Sequence, residues 1–443
     1  MKDKGFISKL SNSVFGKTSG KQGQPDLAGE NARLKRAVEE LSALNDIALT
    51  VGTTVEPQEL VEKLVSCLMR AAKAHQASVT LLGGPAQNTA KTELRIMANS
   101  VEMPRYHMNQ GFLGWLELNK KPLVINDPAN DDRFKGMDWD PTITSVMCVP
   151  LMVKSKMIGA LTVYNKKGGG GFTEEDQRLL PIIAAQAAQI LDNNRLIKEN
   201  AGMQEQVRLA YDIQRNLLPK EPPHIDGYDV AGTSIPAQTV GGDYYDFIKT
   251  PSGSWAFCLG DVSGKGLPAS LLMANCQATL RGQTLIEDSI DDRIGRANTL
   301  MYQSTDVEKF VTLFYGILNV ADHEFTFVNA GHEPAIVVSA DGEVERLESG
   351  GMALGVVDDF PYKQGAVKFA PGDVLIIYSD GVPDATNLSD EAFGIDELVR
   401  LAKELKSEPT IIIVEKIVAA VNQHAGNAPQ MDDVTLVVVK RSV

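Results

Sequence analysis

Six aspartates in four short segments carry the clearest chemistry in this sequence. GGDYYDF sets Asp243 and Asp246 after the flexible pair Gly241-Gly242. In WAFCLGDVSGKGLPASLLMA an apolar strand ends at Asp261, a Gly-rich turn follows, and a helix opens near Pro268. DVLIIYSDGVPDATN delivers Asp380 from the apolar strand Val374–Tyr378, and MDDVTLVVVK places Asp432 and Asp433 just before a strand. Taken singly, Asp beside Gly is ordinary turn chemistry. Four such segments, each tied to a strongly apolar strand, point instead to one site. Carboxylates on adjacent strand ends converge, and like charges repel unless cations neutralise them. Oxygen ligands with no His or Cys nearby favour magnesium or manganese over zinc. Two such ions about 3.5–4 Å apart can clamp a phosphoryl group for in-line displacement.

The elements that must position these groups fall into two halves. Residues 220–443 read as many short strands with a few helices between them, an α+β pattern. Residues 1–31 are polar, Gly-rich and without periodicity, which reads as a flexible leader with no secretory signal. A helical stripe of Leu34, Val38, Leu41 and Ala48 follows, then a helix after Pro57. Strand-like segments Ser78–Leu82 and Leu94–Ala98 come next, and Met147–Val153 with Met157–Tyr164 read as a hairpin around Lys154-Ser155-Lys156. The net charge of -14 argues against a nucleic-acid partner. No apolar run is long enough to span a bilayer, and Cys67, Cys148, Cys258 and Cys276 sit singly in apolar runs. A cytoplasmic protein with reduced thiols is expected.

Between the halves, residues 174–218 read as one long helix with Pro181 near its start. Ile183, Ala187, Ile190, Asn194 and Ile197 keep a three-four spacing; Leu196, Asn200, Met203, Val207, Ala210, Gln214 and Leu217 keep another, shifted by one. Such seams suggest a parallel coiled coil joining two protomers, with packing on its own domain as the alternative. Pro219, Pro222 and Pro223 then stop the helix.

From about Gln206 onward the chain resembles the bacterial PPM phosphatases, the protein phosphatase 2C-like class that includes sporulation and stress-response regulators. QRNLLPKEPP, GGDYYDF, GDVSGKGLPASLLMA, NAGHEPAIV, YSDGVPDATN and DDVTLVVV carry the resemblance. It implies that Asp261 bridges two Mn2+ or Mg2+ ions, that the Val262 carbonyl serves one, and that Asp380 and Asp432 complete the other. Asp243 then acts directly or through water, Asp433 is the ambiguous neighbour of Asp432, and Asp246 is structural. It further implies hydrolysis of phosphoserine or phosphothreonine on a partner of the anti-sigma-factor antagonist type. Hydrolysis of small phosphate esters and a non-catalytic signalling scaffold are the alternatives. His332 reads as part of a turn between Phe325–Val328 and Ala335–Val338, with substrate contact as the alternative, and Lys265 as a solvated loop lysine or a phosphate attractor. GGDYYDF only superficially resembles the GGDEF signature of diguanylate cyclases, and GKG lacks nucleotide P-loop spacing.

GFLGWLELNKKPLVINDPANDDRF and SVMCVPLMVKSKMIGALTVYNKKGGGGFTEEDQRLL resemble a GAF domain. Asn165, Lys166, Phe172 and Asp176 match the pattern of its cyclic-nucleotide-binding members, while Gln177 stands where they have Glu. Asn165 and Asp176 are read as shaping the hairpin exit and the next helix start. His107, Trp115 and Cys148 are read as packed or surface residues rather than ligands. The expected organisation is a leader over 1–31, an α+β GAF sensor over 32–195, a helical coiled-coil linker over 174–218 that overlaps its last helix, and a PPM-type β-sandwich flanked by helices over 219–443.

Overall fold

The computed structural model describes residues 57–82, 92–99, 110–306 and 308–442. The expected leader, the helical stripe from Ala32 and His107 lie outside the described residues. The chain divides into two compact units, Met1–Asn200 and Ala201–Val443.

The first unit contains α1 (Pro57–Ala71), β1 (Ala74–Leu82), β2 (Thr92–Asn99), α2 (Gln110–Asn119), β3 (Leu123–Ile125), β4 (Val146–Val153) and β5 (Lys156–Lys166). Its antiparallel sheet has the order β2-β1-β5-β4-β3. Strand alternation splits the residues by face. Ala77, Val79, Met147, Val149, Leu161 and Val163 pack with Leu64, Val65 and Leu68 of α1. Cys148, Ala160 and Tyr164 point the other way, to Phe112 and Leu116 of α2, with Trp115 packed at the edge. Burial pushes the Cys148 thiol up to about 12, so it is inert packing. The expected hairpin is β4–β5, turning at Lys154-Ser155 with Lys154 at φ 53°.

Asn165 closes the hairpin exit: its Oδ1 accepts from Thr144 N (2.8 Å) and its Nδ2 donates to Thr142 O (2.9 Å). Asp176 caps the next helix, accepting from Thr173 N at 2.8 Å and pairing with Lys166 at 2.6 Å. Both motif residues are thus held by backbone and cap contacts.

That helix, α3 (Glu174–Leu217), is continuous through Pro181, and the boundary between the units falls within it. Its first apolar spacing does not form a helix–helix seam. Ile183, Ala187 and Ile190 are buried in the first unit's own core with Leu180 and Ala188, which corrects the seam reading there. Leu196, Ile197, Met203, Leu209 and Ile213 are exposed. Gln214, read as a seam position, is buried by contacts inside the second unit.

The second unit is a four-layer sandwich. Its strands are β6 (Tyr228–Ile235), β7 (Tyr244–Lys249), β8 (Trp255–Val262), β9 (Val311–Asn319), β10 (Glu324–Ala330), β11 (Ala335–Val338), β12 (Val344–Leu347), β13 (Gly350–Gly351), β14 (Gly365–Lys368), β15 (Val374–Tyr378) and β16 (Val434–Arg441). One sheet runs β13-β10-β9-β8-β7 with β14 on β10; the other runs β12-β11-β15-β16-β6. Phe257, Leu259, Phe314 and Phe325 of the first meet Val337, Leu375, Ile377 and Val437 of the second. The outer faces are covered by α4 (Leu267–Thr284) with α5 (Ile290–Ser304), and by α6 (Ile395–Leu405) with α7 (Thr410–Ala425). β15 is therefore covered on both faces, which explains its unbroken apolar run. β8 is covered in the same way, Ala256 and Cys258 toward α4, Phe257 and Leu259 toward the partner sheet.

Candidate active site

The aspartate segments meet where strands of the two sheets end. Asp261 is the penultimate residue of β8, and the turn after it uses Gly264 and Gly266 at φ 105° and 71° before α4 begins. Asp380 follows β15 by two residues, and Asp432-Asp433 immediately precede β16. Ser379 ties the last two together: its hydroxyl donates to Asp433 O and accepts from Thr435 N, both at 3.0 Å. Gly381 has to be glycine here, because a Cβ would stand 2.1 Å from Asp433 O.

Asp433 is the organiser of the GGD turn. Its Oδ1 accepts from Ala237 N (2.8 Å), and its Oδ2 accepts from Gly242 N (2.7 Å) and Asp243 N (3.2 Å). A Cβ on Gly241 would lie 2.2 Å from that Oδ2, so the turn closes onto the carboxylate only with glycine. Gly242 leaves the Val262 carbonyl approachable, since a Cβ there would be 2.9 Å from it.

Mutual repulsion marks the cluster. Burial first, then the charges of Asp380, Asp432 and Asp433, push Asp261 up to about 7. Asp243 is raised well above the carboxylate range by burial and then by Asp261 and Asp433. Asp380 is raised by burial and then by Asp432 and Asp384. Asp243 Oδ2 is buried with no hydrogen-bond partner. Among the described residues no three of these groups already stand close enough to hold an ion. Lys265 pairs with Asp432 Oδ2 at 3.0 Å. The donor set nevertheless fits a hard divalent cation: it is all oxygen, with an orphaned oxygen on Asp243 and like charges that raise Asp243, Asp261 and Asp380.

Asp246 belongs elsewhere. Its carboxylate is committed to Arg281 of α4 (2.6 Å) and the Tyr244 hydroxyl (2.7 Å).

Two supporting residues were not recognised from sequence. His332 is a buried bridge as well as part of a turn. Its Nε2 donates to Tyr378 O (3.1 Å), which leaves Nδ1 to accept from the Thr312 hydroxyl (2.8 Å). Burial lowers its pKa to about 4, so it ties β15 to β9 as a neutral ring. Gln214, near the end of α3, grips Gly241 twice: Nε2 donates to Gly241 O (2.7 Å) and Oε1 accepts from Gly241 N (3.1 Å). Its heptad spacing disguised it. QRNLLP in front of a proline stop was the available signal, since a Gln at a helix end can serve exposed backbone.

Comparison with known proteins gives the class of the second unit, that of the PP2C-type phosphatases. A family profile described as Stage II sporulation protein E (SpoIIE) matches residues 251–442, and a GAF domain profile matches 54–192. The phosphoserine phosphatase RsbU of Bacillus subtilis is 30% identical over 244 residues, covering 54% of this chain and 71% of that protein. Protein IcfG of Synechocystis sp. is 30% identical over 260 residues, covering 52% of this chain and only 40% of that protein. The solved SiaA-PP2C domain of Pseudomonas aeruginosa aligns with a TM-score of 0.49 at 20% identity, covering 55% of this chain and 98% of that one. The chain belongs to the SpoIIE family of PP2C-type serine/threonine phosphatases, with an N-terminal GAF domain. Metal dependence is general to that family. No helix among the described residues is long and apolar enough to cross a membrane.

Proposed function

We propose that this protein removes phosphate from phosphoserine or phosphothreonine on a partner protein, under the control of its GAF domain. The observation that carries the reading is the charge cluster: carboxylates from four segments, Asp243 and Asp433 buried and Asp261, Asp380 and Asp432 half-buried, with Asp261 raised to about 7 by burial and then by its neighbours. Asp261, Asp380, Asp432 and Asp243, with the Val262 carbonyl, would hold two divalent cations, manganese or magnesium. When bound, such cations neutralise phosphoryl oxygens and make water a competent nucleophile at neutral pH. Asp433 keeps the GGD turn closed around three backbone amides, so Asp243 enters the site at a fixed place. His332 holds the ends of β9 and β15 in step without titrating at neutral pH. The thiols of Cys258 and Cys276 are fully buried with raised pKa values, so neither supplies a thiolate nucleophile.

Family resemblance supports a partner of the phosphorylated anti-sigma-factor antagonist type, and the four free buried thiols support a cytoplasmic setting. Control would pass along α3, whose Gln214, in its last turn, holds the GGD turn. The exposed stripe of Leu196, Ile197, Met203 and Ile213 supports a homodimer through that helix. Phosphate release from a phosphoserine protein, compared with free phosphoserine, tests the reading. Release should require manganese or magnesium, favour the protein and stop with chelator. Equal rates in chelator would overturn it.

A further inference from the structure

A cavity of about 330 Å³ opens beside the carboxylate cluster, and nothing in the chemistry above uses it. Asp432 lines it, as do Gly381 and Asp384, which follow Asp380 in the chain. Its aliphatic wall includes Val421, Ala425 and Ala428, from the end of α7 and the loop beyond. No Lys, Arg or His lines it. The Asp384 carboxylate is exposed and, among the described residues, has no ion-pair partner. It is not held in place by the turn chemistry either, since that turn is closed by the backbone bond from Asp384 N to Asp380 O at 2.9 Å.

We propose that this cavity is a specificity pocket for a basic side chain, Arg or Lys, that lies within two residues of the phosphoserine in the substrate protein. The inference rests on the phosphatase reading of the neighbouring carboxylates. An extended chain advances about 3.3–3.6 Å per residue. A phosphoserine seated at Asp261, Asp380 and Asp432 therefore brings its near neighbours to a cavity walled by Asp432 itself. A long side chain with an aliphatic stem and a cationic head matches the lining: the stem lies on Val421, Ala425 and Ala428, and the head meets Asp384. An acidic side chain meets uncompensated negative charge, and a small one leaves the cavity open.

The test uses the manganese-loaded full chain and phosphoserine peptides differing only in Arg or Glu within two positions of the phosphoserine. Hydrolysis of p-nitrophenyl phosphate, which has no flanking residues, is measured in parallel. The wild type should favour the Arg peptide at least tenfold in kcat/KM. Ala425→Trp, which fills the cavity, should cut that preference to within twofold by raising KM for the Arg peptide, with p-nitrophenyl phosphate turnover unchanged. Should Ala425→Trp fail to fold, Asn422→Trp, exposed on the same wall, carries the same expectation. Lack of a preference in the wild type overturns the proposal. So does a preference that survives in a folded Trp variant, because the overall charge of -14 then accounts for it. If the wild type hydrolyses neither probe, the phosphatase reading fails, and this inference with it.

Discussion

Replacing Gln214 with Ala should damage catalysis although Gln214 touches none of the carboxylates. Its side chain makes two bonds to the Gly241 backbone, at 2.7 and 3.1 Å, and is 8% exposed. Gly241 in turn is pressed against Asp433, whose carboxylate orders the amides of Gly242 and Asp243. Truncation leaves a buried N–H and a buried C=O without partners, each costing about 1–3 kcal/mol. With partial entry of water the loss is about 2–4 kcal/mol, less than the roughly 5–15 kcal/mol that keeps a domain folded. If half of that loss falls on the productive turn, turnover drops about 5- to 30-fold, at 1.36 kcal/mol per decade. The assay is p-nitrophenyl phosphate hydrolysis across a manganese series, with urea melts alongside. The expected result is a lower kcat and weaker apparent manganese affinity at little changed KM. Gln214→Glu keeps the acceptor for Gly241 N but sets oxygen against Gly241 O, so it should be no better. Unchanged kcat and manganese affinity with a shifted melt would refute the argument and leave Gln214 as a stabilising contact only.

Other expectations follow from the same contacts. Asp261→Asn and Asp380→Asn should each abolish turnover while leaving circular dichroism intact, and Asp261→Asn should raise the melting temperature of chelated protein above pH 7. The sign follows from the raised pKa: the folded state holds the proton more tightly, so stability is lost as pH rises from about 4 to about 7. For His332 the shift runs the other way, from about 6.5 unfolded to about 4 folded, so stability is present above pH 6.5 and lost as pH falls toward 4. That loss amounts to about 3 kcal/mol, and His332→Gln should flatten it in pH-dependent melts, with a smaller effect on activity than Asp261→Asn. Ile197→Asp with Met203→Asp should give a monomer by light scattering if α3 pairs with a second copy, and an unchanged mass would remove the dimer from the account.

The carboxylate segments and the strands carrying them were legible because each couples a local signal to a physical need. Val374–Tyr378 is apolar throughout because helices and a second sheet cover it, and Asp380 stands out at its end. The α3 stripe was harder. Ile183, Ala187 and Ile190 show the spacing of a seam, but the same spacing serves a helix packed on its own sheet, and periodicity does not name the partner. Gln214 was hidden for a similar reason, since a polar heptad position looks alike whether it faces a second helix or a backbone turn. Asp433 could not be told from Asp432 because their difference lies in long-range amide contacts, with Ala237, Gly242 and Asp243 far away in sequence. His332 was half legible: NAGHEP does turn, but the bonds to Thr312 and Tyr378 come from strands outside the motif.

The most direct test of the central claim is calorimetric titration of the full chain with manganese, alongside Asp261→Asn, with phosphate release from a phosphoserine protein followed at each concentration. The wild type should bind manganese, phosphate release should rise in step with occupancy, and Asp261→Asn should lose both while staying folded. Manganese binding in Asp261→Asn equal to wild type, or full phosphate release before any manganese is bound, would contradict that claim.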